Sequence, residues 1–258
     1  MIKKSPCDFF DSNEWELPNV VGSSSAMHEV RCRLKKMAHT DLNVLLLGES
    51  GTGKTLMAKV IHDFSERRAK PFVSVNMASI PEQLAESELF GTLSGAYTGS
   101  MNRTGFASAA DGGTLFFDEI AELPLSVQAK LLHFVETGTF YKVGSVTPVR
   151  VDVRIICATN ANLEKMVEEK KFNQALYYRI HKAVLRIPPL RERREDILPL
   201  SESFLKKKGF STGCFSKEAL AMIERCEWPG NVRQLESCLH VTCELNRDHI
   251  IEPEDLVF

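Results

Sequence analysis

The segment Gly48-Glu49-Ser50-Gly51-Thr52-Gly53-Lys54-Thr55 fits the pattern GxxxxGK[ST]. Glycines at this spacing let successive backbone N–H groups turn toward phosphate oxygens, and the N-terminus of a following helix adds its dipole. Lys54 then reaches the β- and γ-oxygens, and Thr55 supplies a hydroxyl to Mg²⁺. A Gly-rich turn with an incidental lysine would also fit the letters, but the flanks speak for phosphate. An apolar run, Val44 to Leu47, precedes the loop, and apolar residues at helical spacing follow it. A second candidate is Asp118-Glu119, which ends the apolar run Thr114 to Phe117. At the carboxyl end of a strand Asp118 would hold Mg²⁺ through its water shell, and Glu119 would polarise the attacking water as a base. Alone, such an acid pair is more often a helix N-cap, and it is the phosphate loop beside it that favours the functional reading. Asn160 ends a further run and would bring an amide to the same edge to sense a γ-phosphate; alone it reads as a turn residue.

The elements that must hold these groups follow from periodicity. Val44 to Leu47, Phe72 to Val75, Thr114 to Phe117, Val151 to Cys157 and Val184 to Ile187 read as strands. Between them Leu56, Met57, Val60, Ile61 and Phe64, and later Val127, Leu131, Leu132 and Val135, recur at helical spacing. Apolar strands separated by helices predict an α/β fold whose parallel sheet is covered on both faces. After Pro188-Pro189 only helices are expected: about 195–207, 217–225 opened by Ser216, and a third from Asn231, with Gln234 as its capping-box partner. The predicted division is an arm over 1–19, an α/β nucleotide-binding part over 20–187 and a small all-helical part over 188–258. Two Gly-punctuated excursions, 90–113 and 138–149, are long for a compact domain, and such loops tend to be functional.

Composition narrows the classes. Thirty-two basic residues face 34 acidic ones, so bulk charge gives no reason to wrap a nucleic acid or lie on an acidic membrane. No apolar run approaches the ~20 residues of a membrane span, and the start lacks a secretory signal, so a cytoplasmic protein is expected. The seven cysteines are odd in number and never spaced as CxxC, which suggests neither a disulfide framework nor a zinc site. His62, His133 and His181 read as surface or core-edge residues, and Lys206 to Lys208 as a solvated helix end.

With these residues stand longer stretches that resemble the central AAA+ domain of bacterial enhancer-binding proteins, the NtrC-like ATPases that activate sigma-54 RNA polymerase. The resemblance runs from about residue 20 to the end. Its most specific part is Glu88-Leu-Phe-Gly91 followed by Gly95-Ala96-Tyr97-Thr98-Gly99-Ser100, similar to the family's ELFG…GAFTGA segment. Ala110 to Glu119, Gln128 to Leu132, Pro188 to Arg193 with Glu195 to Ile197, and Trp228 to Arg233 match as well. The resemblance implies an AAA+ P-loop NTPase with a helical lid, using ATP and Mg²⁺. It implies Val20, Val21 and Gly22 as the adenine slot and Asn76 as the switch residue holding the catalytic Glu119. It implies Arg233 as the lid's sensor arginine and Arg179 as a finger reaching the neighbouring subunit. A finger in trans implies a homo-oligomeric ring, hexamer or heptamer. The ring would move the Gly95 to Ser100 tip, supported by the excursion at 140–150, against sigma-54 and its polymerase. Tyr97 would be the apolar contact, the other reading being a core or interface aromatic.

The chain departs from the family at several points. Asn173 stands where an arginine six residues before the finger is usual, so one of two trans cations is missing, which leaves weak hydrolysis open as an alternative reading. Thr92-Leu93-Ser94 replaces an aromatic or His followed by Glu and Lys, Tyr97 and Ser100 replace Phe and Ala, and Thr55 stands where the family often has Glu. The sequence stops soon after the third lid helix, with no room for the usual helix-turn-helix, so no DNA-binding domain is expected in this chain. Besides the remodelling ATPase, two other readings stay open: a nucleotide-dependent regulatory module that hydrolyses poorly, and an AAA+ motor acting on DNA or an unrelated protein.

Overall fold

The computed structural model describes residues 17, 20–96, 101–210, 215–245 and 250–257. Apart from Leu17 the expected arm over 1–19 lies outside the described residues, and so do Tyr97, Thr98, Gly99 and Ser100. In chain order the helices are α1 (Ser25–Ala38), α2 (Lys54–Asp63), α3 (Glu82–Phe90), α4 (Phe106–Ala109), α5 (Leu125–Thr137), α6 (Leu163–Glu168), α7 (Gln174–Ile180), α8 (Ile197–Lys207), α9 (Lys217–Arg225) and α10 (Asn231–Leu245). The strands are β1 (Val44–Leu47), β2 (Phe72–Asn76), β3 (Thr114–Asp118), β4 (Thr139–Tyr141), β5 (Pro148–Arg150), β6 (Arg154–Thr159) and β7 (Ala183–Arg186). Packing separates two compact units. The described parts of Met1–Arg33, Gly48–Met57 and Arg186–Phe258 form one, called the loop unit below; Leu34–Leu47 and Ala58–Leu185 form the other, the sheet unit.

The sheet is five-stranded, in the order β2-β3-β6-β1-β7. β2, β3, β6 and β1 run parallel, so their carboxyl ends share one edge, where Asn76 pairs with Asp118 and Leu47 with Thr159. Every residue of β6 is buried, as a strand covered on both faces requires. β6 begins at Arg154 rather than at the expected Val151, because Val151 N donates to Gly138 O at the base of the β4–β5 hairpin. Arg154 is 2% exposed, and its guanidinium donates to Met37 O, Ala38 O and Leu42 O, closing the carbonyl end of α1. Burial pushes this guanidinium down to about 10. Leu45, Leu115, Phe117, Ile155, Cys157, Leu131 and Phe134 belong to the sheet unit's core. His62 is also buried, a correction to its reading as a surface or core-edge residue; its Nδ1 meets Thr114 Oγ1 at 3.0 Å.

In the loop unit, Leu190, Ile197, Leu205, Ile223, Trp228, Leu235 and Leu239 form the core under α8, α9 and α10. The fully buried Trp228 donates from its indole nitrogen to Ile223 O at 2.9 Å. Ser216 caps α9 by accepting from Ala219 N, as its position suggested. Among the described residues no helix is long and apolar enough to cross a membrane.

Candidate functional site

β1 runs into the Gly-rich loop and α2 starts at Lys54, so strand, loop and helix follow one another as the motif demands. Lys54 is 6% exposed; its Nζ donates to Gly48 O at 2.9 Å and Glu49 O at 3.2 Å. Thr52 Oγ1 donates to Glu49 O at 2.8 Å, while Thr55 lies exposed in the first turn of α2. Gly51 has φ +78°, and a Cβ there would stand 2.2 Å from Gly230 O, so both conformation and space demand glycine. Gly53, at φ +102°, faces open space instead.

The remaining loop contacts come from the C-terminal segment of the same unit. The Arg191 fork binds Glu49 through two bonds, of 2.7 and 2.6 Å. With the Asn231 amide, 3.2 Å from Glu49 Oε2, it holds the Glu49 carboxyl at about 2. Asn231 Nδ2 also donates to Ser50 O at 3.0 Å, and its Oδ1 accepts from Leu190 N at 2.7 Å. Its side chain therefore serves the loop rather than the expected capping box, and Gln234 Oε1 accepts from Gly230 N instead. Arg233 N donates to Gly51 O, and its exposed guanidinium reaches Ser50 Oγ at 3.3 Å. Arg193 Nη2 donates to Thr52 O at 3.1 Å.

Val20 is buried, and Val21 and Gly22 are half-buried. Asp196, fully buried, accepts from Ser23 N, Ser24 N and Ser24 Oγ at 2.6 to 2.7 Å. A Cβ on Gly22 would meet its carboxyl carbon at 2.9 Å. The segment offered as an adenine slot is thus fixed by a carboxylate from the Glu195-Asp-Ile197 motif. Asp196, Arg191 and Arg193 had no role assigned from sequence, and Asn231 only that of a helix cap, although each lies in a motif singled out there. Their partners in segments 23–24 and 49–52 are more than 140 residues away, and no local pattern announces them.

In the sheet unit Asp118 ends β3, and Glu119 follows it at φ 51°, in the left-handed region. Glu119 N donates to Asp118 Oδ1 at 3.2 Å, and Glu119 Oε2 accepts from Asn160 N at 3.3 Å. The edge therefore brings Asp118, Glu119, Asn160 and, by register, Asn76 together. Asn76 Oδ1 accepts from Ala78 N at 3.0 Å, capping a short 3-10 turn. Arg179 lies half-exposed in the last turn of α7. Asn173 is the N-cap of that helix: its Oδ1 accepts from Leu176 N at 3.0 Å, and its N–H donates to the buried Gln128.

The base of the first excursion is tied to the second. Leu93 N donates to Val143 O and Val143 N to Gly91 O, while Thr92, 3% exposed, pairs with Arg103 through two backbone bonds. Gly95 takes φ +84°, and Ala96 lies so near Gly144 that a Cβ on Gly144 would be 2.6 Å from Ala96 Cβ. Phe140, carried by β4, packs among Phe90 and Phe134 and anchors the hairpin in the core.

A parallel sheet flanked by helices, a phosphate loop between β1 and α2, and a helical C-terminal part define an AAA+ P-loop NTPase. The match to the Sigma-54 interaction domain family covers residues 20–186, and a match to the AAA+ ATPase lid domain covers 191–258. The chain belongs to the Sigma-54 interaction domain family. It is 43% identical over 256 residues to the DNA-binding transcriptional regulator NtrC of Rhizobium meliloti, covering 98% of this chain and 53% of that protein. It is 46% identical over 231 residues to the regulatory protein LuxO of Vibrio parahaemolyticus, covering 88% of this chain and 51% of that one. The crystal structure of NtrX from Brucella abortus in complex with ATP superposes with TM-score 0.84 at 36% identity, over 93% of this chain and 56% of that one. The chain spans about half the length of these relatives.

Proposed function

We propose that this chain is the ATP-hydrolysing part of a sigma-54-dependent transcriptional activator, working as a homo-oligomeric ring whose Gly95 to Ser100 segment engages sigma-54. The observation that carries the reading is the phosphate loop: a dry Lys54 and glycines at positive φ, inside a chain that belongs to this family. In this reading residues 20–187 bind nucleotide, 188–258 act as the lid and 1–19 as an arm.

The residues then take these roles. Gly48 to Lys54 hold the phosphates through backbone N–H groups and the Lys54 ammonium. Val20, Val21 and Gly22 receive the adenine, and Arg233 faces the phosphates from the lid. Thr55 and Asp118 offer hard oxygens, which suit Mg²⁺, an ion commonly held by one or two protein oxygens together with substrate phosphates. When bound, Mg²⁺ neutralises phosphate charge. Glu119 takes a proton from the attacking water, Asn76 restrains Glu119 until ATP is in place, and Asn160 senses the γ-phosphate. Arg179 enters the site of the neighbouring copy, where a finger is worth ~10³-fold or more in rate. The paired stalk at 91–96 and the hairpin carrying Val143 support a lever from nucleotide to sigma-54.

The test is Mg²⁺-dependent ATP turnover by wild type and Lys54→Ala, together with sigma-54 capture in the presence of an ATP transition-state mimic. Turnover should vanish in the variant and capture should need the mimic; equal turnover by both proteins overturns the reading. A second reading, a module that binds ATP and hydrolyses it weakly, is favoured by Asn173, which spends its side chain capping α7. Asn173→Arg should raise turnover several-fold if a second trans cation is missing, while losing a cap worth about 1 kcal/mol. Unchanged turnover says that Arg179 suffices.

A further inference from the structure

Each carbonyl from Gly48 to Thr52 has a donor. Lys54 Nζ serves Gly48 O and Glu49 O, Asn231 Nδ2 serves Ser50 O, Arg233 N serves Gly51 O and Arg193 Nη2 serves Thr52 O. Three of these four donor groups therefore come from the 193–233 segment. Among the described residues no peptide is cis. In a planar trans peptide the N–H points opposite to the C=O it is bonded through. Holding Ser50 O toward Asn231 turns the Gly51 N–H away from Asn231, and holding Thr52 O toward Arg193 turns the Gly53 N–H away from Arg193.

Two further features suit this task. Asn231 takes φ 55°, a conformation that Asn tolerates better than most residues, and is fully buried, so its amide is aimed by both backbone and packing. Arg193 is 3% exposed, and its Nε has no hydrogen-bond partner. A dry guanidinium with an unpaired N–H destabilises the fold by itself. Its one hydrogen bond to the loop, charge-assisted, is to Thr52 O.

We infer that Asn231 and Arg193 are positioning residues for nucleotide phosphates: through the loop carbonyls they set the direction of the Gly51 and Gly53 amides that receive the anion. The inference rests on the reading that this loop holds ATP. It extends the lid's part from the sensor arginine to the shape of the anion cradle itself.

The experiment measures ADP and adenosine affinity for wild type, Lys54→Ala, Asn231→Gly and Arg193→Lys, with ADP read by calorimetry and adenosine by ligand-observed NMR. Glycine at 231 keeps the positive φ and removes only the amide. Asn231→Gly should weaken ADP about tenfold and leave adenosine within about twofold, because only the phosphate end depends on the cradle. Arg193→Lys should move ADP in the same direction. Equal losses for ADP and adenosine, or no loss of either, overturn the inference. Absence of ADP binding by wild type, or unchanged binding by Lys54→Ala, overturns the phosphate reading instead. If the substituted proteins do not fold, wild type decides: the Gly51 and Gly53 amide resonances must shift when inorganic pyrophosphate is added, and stationary resonances refute the assignment.

Discussion

Glu119 in the sheet unit and Asn231 in the loop unit share almost one backbone conformation, φ 51° and φ 55°. Such residues cost about 1–3 kcal/mol each unless their surroundings hold them there. At Asn231 the surroundings do so visibly: the side chain is fully buried and bonds Leu190 N, Glu49 and Ser50 O. Glu119 is a poorer choice for the left-handed region and is only half-buried, with its carboxylate on Asn160 N at 3.3 Å. In one unit, the side chain of the left-handed residue binds the loop. In the other, the left-handed turn places a carboxylate beyond the end of β3.

That contrast can be broken by substitution. The largest effect should come from Glu119→Gln, which keeps the size and removes the proposed base: turnover should fall about 10²-fold or more, with ADP affinity and melting temperature unchanged. Phosphate release and calorimetry on one preparation read all three quantities, and turnover within tenfold of wild type removes Glu119 from the chemistry. Next, Asn231→Gly should lower stability by about 2 kcal/mol, since losing buried hydrogen bonds outweighs the easier backbone. Urea midpoints read the loss, and a gain would show that the side-chain bonds contribute nothing net. At Glu119 the same change should act with opposite sign. Glu119→Gly relieves the left-handed strain and should stabilise by about 1 kcal/mol while abolishing turnover.

The smallest effect concerns pH and again separates the units. Burial pushes the His62 imidazole below its ordinary 6.5. The folded ring resists protonation more than the unfolded one, so its contribution is complete above 6.5 and is lost as pH falls through the lowered folded value. Glu49 behaves as a carboxylate held near 2: its contribution is complete above the ordinary 4.5 and fades only as pH falls toward 2. Between pH 6 and 5, stability should therefore decline in wild type and not in His62→Gln, while Glu49→Gln should track wild type. Parallel decline in all three would remove His62 as the cause.

The strand before the phosphate loop, the helix after it, and the acids ending β3 were legible because each is a local pattern a few residues long. The strand order was not spelled out, but parallel pairing followed from apolar runs separated by helices. The expected Val151 to Cys157 strand starts late, at Arg154, because a β-branched run looks alike whether it pairs in the sheet or, as at Val151, bonds Gly138 at the hairpin base. The Asn231–Gln234 box is the more instructive miss. The Oδ1 that would have capped the helix accepts from Leu190 N, 41 residues away, while the Nδ2 donates to Ser50 O, 181 residues away. Asn173 reads as a missing cation in sequence, and only the α7 cap shows what the residue does where it stands.

The Gly144–Ala96 approach has a practical meaning. With 2.6 Å between Ala96 Cβ and any methyl placed on Gly144, one alanine would act as a shim driven between the hairpin and the stalk. The nucleotide cradle, held by its own bonds to Asn231, Arg193 and Lys54, contains neither residue. On the function proposed above, Gly144→Ala would therefore disturb the segment offered to sigma-54 and leave the ATP site as it is.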